Sequence, residues 1–252
     1  GLIGMVVSKI LNIPFIYEMR GLWAYTRATN NNEYEKTYDF ALRLRLEKQC
    51  ALEAERIVVI SEGLKDLVLK WGVDKSIINI LPNGIGKLKK PINLKKFDSN
   101  DIKLGYLGSI VPYEGLMTSI EAIKKIKENK NYVPRLIIAG EGTEKIKLEN
   151  FVKENDLIEF VEFRGRIDHN KIDDFYNEVD GILLPRLSTL VTDIIPPLKP
   201  LEAIAKGKVV ISSTINPHNE LFGNINQSFQ FVQGDVDSQV KTINDFINFK
   251  GD

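Results

Sequence analysis

The sequence predicts an α/β protein with two domains and mainly parallel sheets. Short apolar runs alternate with longer helical stretches, which indicates βαβ units. Most of these runs are continuously apolar, as expected for strands that are covered on both faces. A lysine-rich stretch that holds Gly84, Gly86 and Pro91 interrupts the alternation once. Its composition is typical of a linker between domains.

The strands are assigned to the short apolar runs and the helices to the stretches between them. In chain order, the predicted strands are Pro14–Glu18, Ile57–Ile60, Ile78–Leu81, Lys103–Leu107, Arg135–Ala139, Glu159–Phe163, Gly181–Leu184, Lys208–Ser212 and Phe229–Val232. The predicted helical stretches include Tyr34–Ala54, Gly63–Trp71, Leu116–Glu128, Glu144–Asn155 and Lys171–Asn177. The opening stretch reads as the middle of an amphipathic helix, and we therefore expect the chain to begin inside a larger protein.

The domain boundaries follow from the break in this alternation. We predict the C-terminal part of a first α/β domain over 1–86, a linker over 87–100 and a second α/β domain over 101–252. The alternative is that the basic stretch is a long surface loop of a single domain. A solvated linker is the preferred interpretation, although basic runs of this kind can also attract anionic lipid head groups.

Composition excludes several classes of function. The 252 residues hold 34 basic and 34 acidic side chains, whereas nucleic-acid-binding domains are usually strongly basic. The one cysteine, Cys50, cannot form an internal disulfide, so a reducing compartment is favoured, and no Cys/His pattern has zinc spacing. We predict His169 and His218 to be surface or loop residues. No apolar run reaches the ~18 to 20 residues of a membrane span.

The segment from Leu184 to Ala205 holds the strongest functional signal. In doubly wound folds, ligands bind beyond the carboxyl ends of the strands. Arg186 follows a predicted strand, and Lys199 lies among three prolines that lead into a short helix. Glu202 lies one turn into that helix, where it could bind ribose hydroxyls, and Asp193 lies on the preceding loop, where it could bind a sugar. The alternative is that both acids only stabilise the helix start.

The stretch PLKPLEAIAKGKVVISS, from Pro197 to Ser213, resembles the donor-binding signature of glycosyltransferase family 4, which has the GT-B fold. Further matches fall in the order expected for that family and cover almost the whole chain. They are YEMRGLW (Tyr17–Trp23), ERIVVISEGLKDLV (Glu55–Val68), INILPNGI (Ile78–Ile85), LGYLGSIVPYEGL (Leu104–Leu116) and NPHNEL (Asn216–Leu221).

This resemblance implies two Rossmann-like domains that face each other across a cleft, with the nucleotide sugar in the second and the acceptor in the first. It implies sugar transfer with retention of configuration and without a required metal. Asp193 and Glu202 would be the catalytic pair, in which Glu202 binds the ribose and Asp193 lies near the donor sugar. The backbone of Leu198 and Lys199 would meet the diphosphate.

The remaining implied site residues come from loops after other strands. The nucleotide-sugar site would also include Gly108, Ser109, Arg164, Arg166, Ile167 and Arg186. Three further residues are cleft candidates, namely Arg20, Asn83 and Gly142. A structural salt bridge is an equal alternative for Arg20, and a turn is the main role expected of Asn83.

The chain departs from the family pattern at the diphosphate. Ser109 and Glu114 stand where family members often carry Arg and Lys. Phosphates without a cation would lose much of their charge-assisted binding, so we expect Lys199, Arg186 or Arg164 to supply the charge. The family's Gly-rich first loop and its N-terminal His have no counterpart here. The resemblance therefore predicts an incomplete enzyme that starts late and ends early.

The function predicted from these features is a retaining glycosyltransferase of cell-surface polysaccharide or glycolipid assembly. Its donor would be a nucleotide diphosphate sugar, with a UDP-sugar favoured and a GDP-sugar second, and it would need no cofactor. Its acceptor would be a saccharide or a lipid-linked saccharide. The enzyme would lie in the cytoplasm or at the inner face of the membrane, and peripheral membrane contact is an alternative left open for the full-length protein. The alternatives are an epimerase of the same fold and a non-catalytic nucleotide-sugar-binding subunit.

Overall fold

A computed structural model describes residues 1–29, 31–86, 101–129, 132–222 and 228–249. The chain divides into two compact units. The first unit comprises Gly1–Gly84 together with Thr189–Pro196, and the second comprises Ile85–Ser188 together with Pro197–Asp252. The linker predicted over 87–100 lies outside the described residues.

The first unit contains a three-stranded parallel sheet in the order β1-β2-β3. Its strands are β1 (Ile16–Met19), β2 (Arg56–Val59) and β3 (Ile78–Ile80). Its helices are α1 (Leu2–Leu11), α2 (Trp23–Thr29), α3 (Tyr38–Leu52), α4 (Glu62–Lys70) and α8 (Leu190–Ile194). Short 3₁₀ turns cover Asn32–Lys36 and Lys75–Ile77.

The long helix predicted over Tyr34–Ala54 is wrong at its N-terminal end. The chain forms the 3₁₀ turn first, leaves it in an extended conformation at Thr37 and only then starts α3. The Thr37 hydroxyl accepts a hydrogen bond from the Phe40 amide, so it caps α3. Such a cap satisfies one of the free amides of the first turn and stabilises a helix by about 1 kcal/mol.

The loop predicted around Asp193 is also wrong, because Leu190–Ile194 forms the helix α8. Thr189 starts this helix with a reciprocal cap, in which Thr189 and Thr192 each accept a hydrogen bond from the other's backbone amide. The next two isoleucines, Ile194 and Ile195, pack against the core of the first unit. Apolar packing and the cap together explain why so short a segment is helical here.

The second unit contains a six-stranded parallel sheet in the order β6-β5-β4-β7-β8-β9. Its strands are β4 (Lys103–Leu107), β5 (Arg135–Ala139), β6 (Val161–Gly165), β7 (Gly181–Leu184), β8 (Val209–Ser213) and β9 (Phe229–Phe231). Numbered within the unit, this is the doubly wound order 3-2-1-4-5-6. The order reverses between β4 and β7, whose backbones pair through Leu104 and Gly105.

Helices cover both faces of this sheet, as right-handed βαβ connections require. They are α5 (Leu116–Asn129), α6 (Lys145–Glu154), α7 (Ile172–Glu178), α9 (Lys199–Ala205), α10 (Asn216–Phe222) and α11 (Val236–Ile247). Two 3₁₀ turns cover Pro112–Glu114 and His169–Lys171. One apolar cluster lies on each face, one around Tyr106 and Phe246 and the other around Phe175 and Leu184.

The α/β class with parallel sheets is confirmed, and most strands match the prediction to within a residue or two. The strand predicted over Glu159–Phe163 lies two residues later, at Val161–Gly165. The segment Asn216–Leu221, matched to a loop of the family, lies within a helix. His218, predicted at the surface or in a loop, is on this helix and fully buried, whereas His169 is exposed as predicted.

Candidate diphosphate site at the sheet reversal

The point where the strand order reverses brings together the loops that follow β4 and β7. In doubly wound sheets, the crevice at this reversal is where ligands bind. Gly108 follows β4 directly, and Arg186 comes two residues after β7. The 3₁₀ turn that ends at Glu114 also follows β4, and α9 begins at Lys199. Four sequence-selected positions therefore meet at one end of the sheet.

Glu114 binds the two cations of this group. Lys199 Nζ lies 2.7 Å from Glu114 Oε2, and Arg186 Nε lies 3.3 Å from Glu114 Oε1. The Glu114 side chain is only 4% exposed, whereas 21% of Lys199 and 13% of Arg186 remain accessible. The carboxylate is thus buried behind two cations that still reach solvent.

Two tyrosines shape the environment of the cations. Tyr106 Oη accepts a hydrogen bond from Lys199 Nζ at 2.9 Å and donates one to the carbonyl oxygen of Ser109 at 2.7 Å. The Lys199 ammonium also lies 4.6 Å from the Tyr106 ring centroid, and Arg186 lies 5.7 Å from that of Tyr113. Both distances are within the range of cation–π attraction.

Because Gly108 is a glycine and has no Cβ atom, there is room for the Lys199 side chain beside it. A Cβ atom at Gly108 would fall 2.5 Å from Lys199 Cε and 2.7 Å from Nζ. The ammonium therefore lies against the backbone that follows β4. The other selected glycine, Gly142, has a different role: its Cβ would fall 2.0 Å from the Ile110 carbonyl oxygen, so it allows two loops to pack backbone to backbone.

Backbone contacts fix the loops that hold Glu114 and Arg186. Gly115 has φ +70°, and a Cβ there would fall 2.1 Å from the Pro185 carbonyl oxygen. The Leu187 amide donates to the Tyr113 carbonyl oxygen at 2.9 Å. The Ser213 hydroxyl donates to the Arg186 carbonyl oxygen at 2.6 Å. The turn after β4, the loop after β7 and the end of β8 are thus tied together.

The pKa values within this group reflect burial and ion pairing. Burial raises the pKa of the Glu114 carboxyl, but Lys199 and Arg186 outweigh it and hold that pKa below its usual range. Burial lowers the pKa of the Lys199 ammonium, and Glu114 opposes this effect. Burial, with a contribution from Glu114, raises the pKa of Tyr106 well above its usual value. Glu114 is therefore ionised, and Tyr106 is a neutral hydrogen-bonding partner.

His218 is a buried neighbour that the sequence did not reveal. Its Nδ1 lies 2.9 Å from the Ser213 carbonyl oxygen, to which it donates. Burial lowers the pKa of its imidazole to about 4. Among the described residues, no hydrogen-bond partner meets its Nε2. The histidine is therefore neutral and supports the end of β8, which in turn holds Arg186.

The remaining positions predicted for the nucleotide site in the second unit lie around this group or point elsewhere. Glu202 is exposed and lies one helical turn after Lys199 on the same face of α9. Burial raises the pKa of Tyr176, and the Glu202 charge adds to that rise. Arg164 forms ion pairs with Glu162 and Glu178, and these raise the pKa of its guanidinium. The last three positions are Leu198 and Arg166, which are exposed, and Ile167, which packs partly buried against the apolar cluster around Phe175.

Three sequence-selected residues lie in the first unit. Asp193 is half-buried on α8. Arg20 donates hydrogen bonds to Glu18 at 3.1 Å and to Asn83 Oδ1 at 2.8 Å. The Asn83 side chain also donates to the Pro196 carbonyl oxygen at 3.4 Å. The salt bridge considered for Arg20 is thus present, and Arg20 and Asn83 form one polar network.

The part of the chain that the structure describes lacks two further features. No helix there is long and apolar enough to cross a membrane. No group of three or more His, Cys, Asp or Glu side chains in those residues is arranged to hold a metal ion.

Comparison with known proteins gives a consistent family. Residues 90–250 match the family model described as Glycosyl transferases group 1. The chain is 27% identical over 201 residues to the capsular polysaccharide biosynthesis glycosyltransferase CapM of Staphylococcus aureus, covering 73% of this chain and 50% of that protein. It is 23% identical over 164 residues to glycogen synthase of Mycobacterium tuberculosis, covering 65% of this chain and 38% of that protein.

A solved structure shows the same fold. The structure of Anabaena Alr3699/HepE in complex with UDP-glucose matches with a TM-score of 0.73 at 18% identity. The match covers 98% of this chain and 66% of that one. This chain thus spans half or less of the two curated relatives and about two thirds of the solved neighbour.

Proposed function

Because this chain belongs to the group 1 glycosyltransferases, we propose that it forms the donor side of an enzyme that transfers a sugar from a nucleotide diphosphate sugar. The acceptor is a saccharide or a lipid-linked saccharide of cell-surface polysaccharide or glycolipid assembly. In the transfer, the bond from the anomeric carbon to the diphosphate breaks, and a bond to the acceptor oxygen forms on the same face of the sugar. The nucleoside diphosphate and the hydroxyl proton are released.

The observation that carries this proposal is the pair of cations at the sheet reversal. Lys199 and Arg186 bind opposite oxygens of one carboxylate and both remain partly accessible. Two adjacent cations match the two phosphates of a diphosphate, and charge-assisted hydrogen bonds from them would stabilise the negative charge that develops on the leaving group. Arg164 is not needed for this role, since two glutamates already pair with it.

Glu202 extends the same surface toward the nucleoside. It lies three residues after Lys199, so both side chains lie on one face of α9. An exposed carboxylate there can accept hydrogen bonds from both ribose hydroxyls while Lys199 meets a phosphate. Asp193 is proposed to position hydroxyls of the donor sugar, and Arg166 and Ile167 are proposed to lie near the base.

A UDP-sugar is the preferred donor, and a GDP-sugar is the second choice. The solved neighbour Alr3699/HepE is described in complex with UDP-glucose, and CapM is named for capsular polysaccharide biosynthesis. We extend both features to this chain as part of the proposal. The proposal also includes a location in the cytoplasm or at the inner face of the membrane. It further includes sugar transfer without a metal ion.

The experiment is saturation-transfer NMR of the chain with UDP, GDP, ADP, dTDP and CDP, run on the wild type and on Glu202→Ala. We expect saturation of one nucleotide, UDP first, and its loss in Glu202→Ala because the ribose hydroxyls lose their acceptor. Glu154→Ala is the matched control, since it removes an exposed glutamate from α6 in the same unit.

Two outcomes would contradict the assignment of the donor site. Equal saturation in the wild type and in Glu202→Ala would remove Glu202 from the site. Absence of saturation with all five nucleotides, in this chain and in a longer version of the protein, would end the glycosyltransferase proposal. Nucleotide binding without sugar transfer by the longer protein would favour a non-catalytic binding subunit instead.

A further inference from the structure

Glu114 has an unusual position for a residue beside a phosphate site. Its carboxylate is the most buried of the three charged side chains, and it pairs with both cations that face the proposed diphosphate. The charges of Glu114, Lys199 and Arg186 sum to +1, whereas the two cations alone would carry +2. A carboxylate in this place reduces the attraction for an anion, because like charges repel at short range.

Glu114 is also held too firmly to move away when an anion binds. It ends a 3₁₀ turn, and Gly115 behind it packs directly against the Pro185 carbonyl oxygen. The residue before it, Tyr113, accepts the Leu187 amide through its carbonyl oxygen. A bound diphosphate would therefore share Lys199 and Arg186 with Glu114 and would not displace it.

We propose that Glu114 is a fixed counter-anion of the donor site, which positions Lys199 and Arg186 and weakens their hold on the diphosphate so that the nucleoside diphosphate is released readily. The inference rests on the proposed function and deepens it. Glu114 acts through the two cations and does not touch the substrate, so it is a positioning residue. The ligand expected at Lys199 and Arg186 is any diphosphate, whether free or part of a nucleotide.

The test uses the whole chain and two probes, inorganic pyrophosphate and UDP, with affinities measured by calorimetry at pH 6.5. Glu114→Gln keeps the shape of the side chain and removes its charge. We expect both probes to bind on the order of tenfold tighter, as expected for removal of one like charge at a distance of several ångströms. Glu114→Asp keeps the charge and should bind close to the wild type.

A pH profile separates this role from a purely structural one. Glu114 raises the pKa of the Lys199 ammonium, so its loss lets Lys199 give up its proton at lower pH. The affinity of Glu114→Gln relative to the wild type, compared at each pH so that ionisation of the probe cancels, should therefore fall as the pH rises above neutrality. The other titratable or charged groups that act on Lys199 or lie beside it are Arg186, Glu202, Tyr106 and the neutral His218.

The outcomes separate this inference from the proposed function. UDP binding by the wild type with no gain in Glu114→Gln overturns the inference and leaves the donor site intact. If Glu114→Gln binds more weakly than the wild type and Glu114→Asp binds like the wild type, the carboxylate is needed for binding. That result also overturns the inference. Failure of every variant to bind pyrophosphate removes the anion site and the inference together.

Discussion

The ion pair between Lys199 and Glu114 allows a quantitative test of how this site is held together. The perturbation is Lys199→Met, which keeps an unbranched side chain of similar length and removes the charge. Glu114, whose side chain is 4% exposed, then has Arg186 as its remaining counter-ion at 3.3 Å. Breaking a buried pair from one side is costly because the other charge stays behind without water.

The expected magnitude follows from the geometry. At 2.7 Å and an effective dielectric constant of about 20, the Coulomb attraction is roughly 6 kcal/mol, and desolvation of both groups cancels more than half of it. The net value for a charge-assisted contact is about 1.5–3 kcal/mol. We therefore expect Lys199→Met to lower the free energy of unfolding by about 2–3 kcal/mol. Lys199→Met/Glu114→Gln should recover most of that loss.

The assay must report on the second unit. Both tryptophans, Trp23 and Trp71, lie in the first unit, so tryptophan fluorescence would miss the effect. Hydrogen exchange of the β4 and β7 amides, with urea unfolding followed by circular dichroism, measures the right region. Lys153→Met, which removes an exposed lysine from α6, is the control and should change stability by less than about 0.5 kcal/mol.

Additivity would refute the reasoning behind this prediction. The losses in the free energy of unfolding caused by Lys199→Met and by Glu114→Gln can be added and compared with the loss in the double variant. If the two values agree within about 0.5 kcal/mol, Lys199 and Glu114 are not coupled. A loss as small as that of Lys153→Met would likewise show that water or Arg186 fully compensates Glu114.

Two further predictions concern neighbours of the site. His218→Asn keeps a donor toward the Ser213 carbonyl oxygen. It should reduce the loss of stability between pH 6.5 and about 4 by about 3 kcal/mol, because the unfolded chain takes up a proton that buried His218 does not. His169→Asn, measured by the same urea titrations, should leave that loss unchanged. Gly115→Ala should destabilise the second unit by more than Gly234→Ala, as measured by hydrogen exchange. Both residues have φ near +70°, where an alanine costs about 1–2 kcal/mol, but of the two only Gly115 would place a Cβ against a carbonyl oxygen. Equal losses in the two variants would contradict this prediction.

The sequence predicted the sheet well because its signal is local. The strand Gly181–Leu184 is a continuous apolar run and is buried along its whole length, as the pattern requires. The wrong predictions at α3 and α8 also have local causes, namely helix caps, which a pattern of apolar residues does not reveal. Thr37 and Thr189 each cap a helix through a hydroxyl.

The arrangement of the site was less accessible to sequence reasoning. The sequence shows the change to Glu114 and offers Lys199, Arg186 and Arg164 as replacement cations. That Glu114 pairs with both Lys199 and Arg186 was not predicted, since Arg186 follows it by 72 residues and only the fold brings the two together. The burial of His218 was not predicted for a different reason. The helix α10 carries its one histidine among other polar residues and shows no clear apolar stripe.

The course of the chain through its two units limits how this protein can be dissected. Thr189–Pro196 belongs to the first unit, although the segments on both sides of it in the sequence belong to the second. Its Ile194 carbonyl oxygen accepts a hydrogen bond from Ser61 at 2.5 Å, and Ile194 and Ile195 pack against the first core. A recombinant fragment that starts at residue 85 would expose two isoleucines to solvent. Replacing this segment with a short polar loop would be the rational way to obtain the second unit as a soluble fragment.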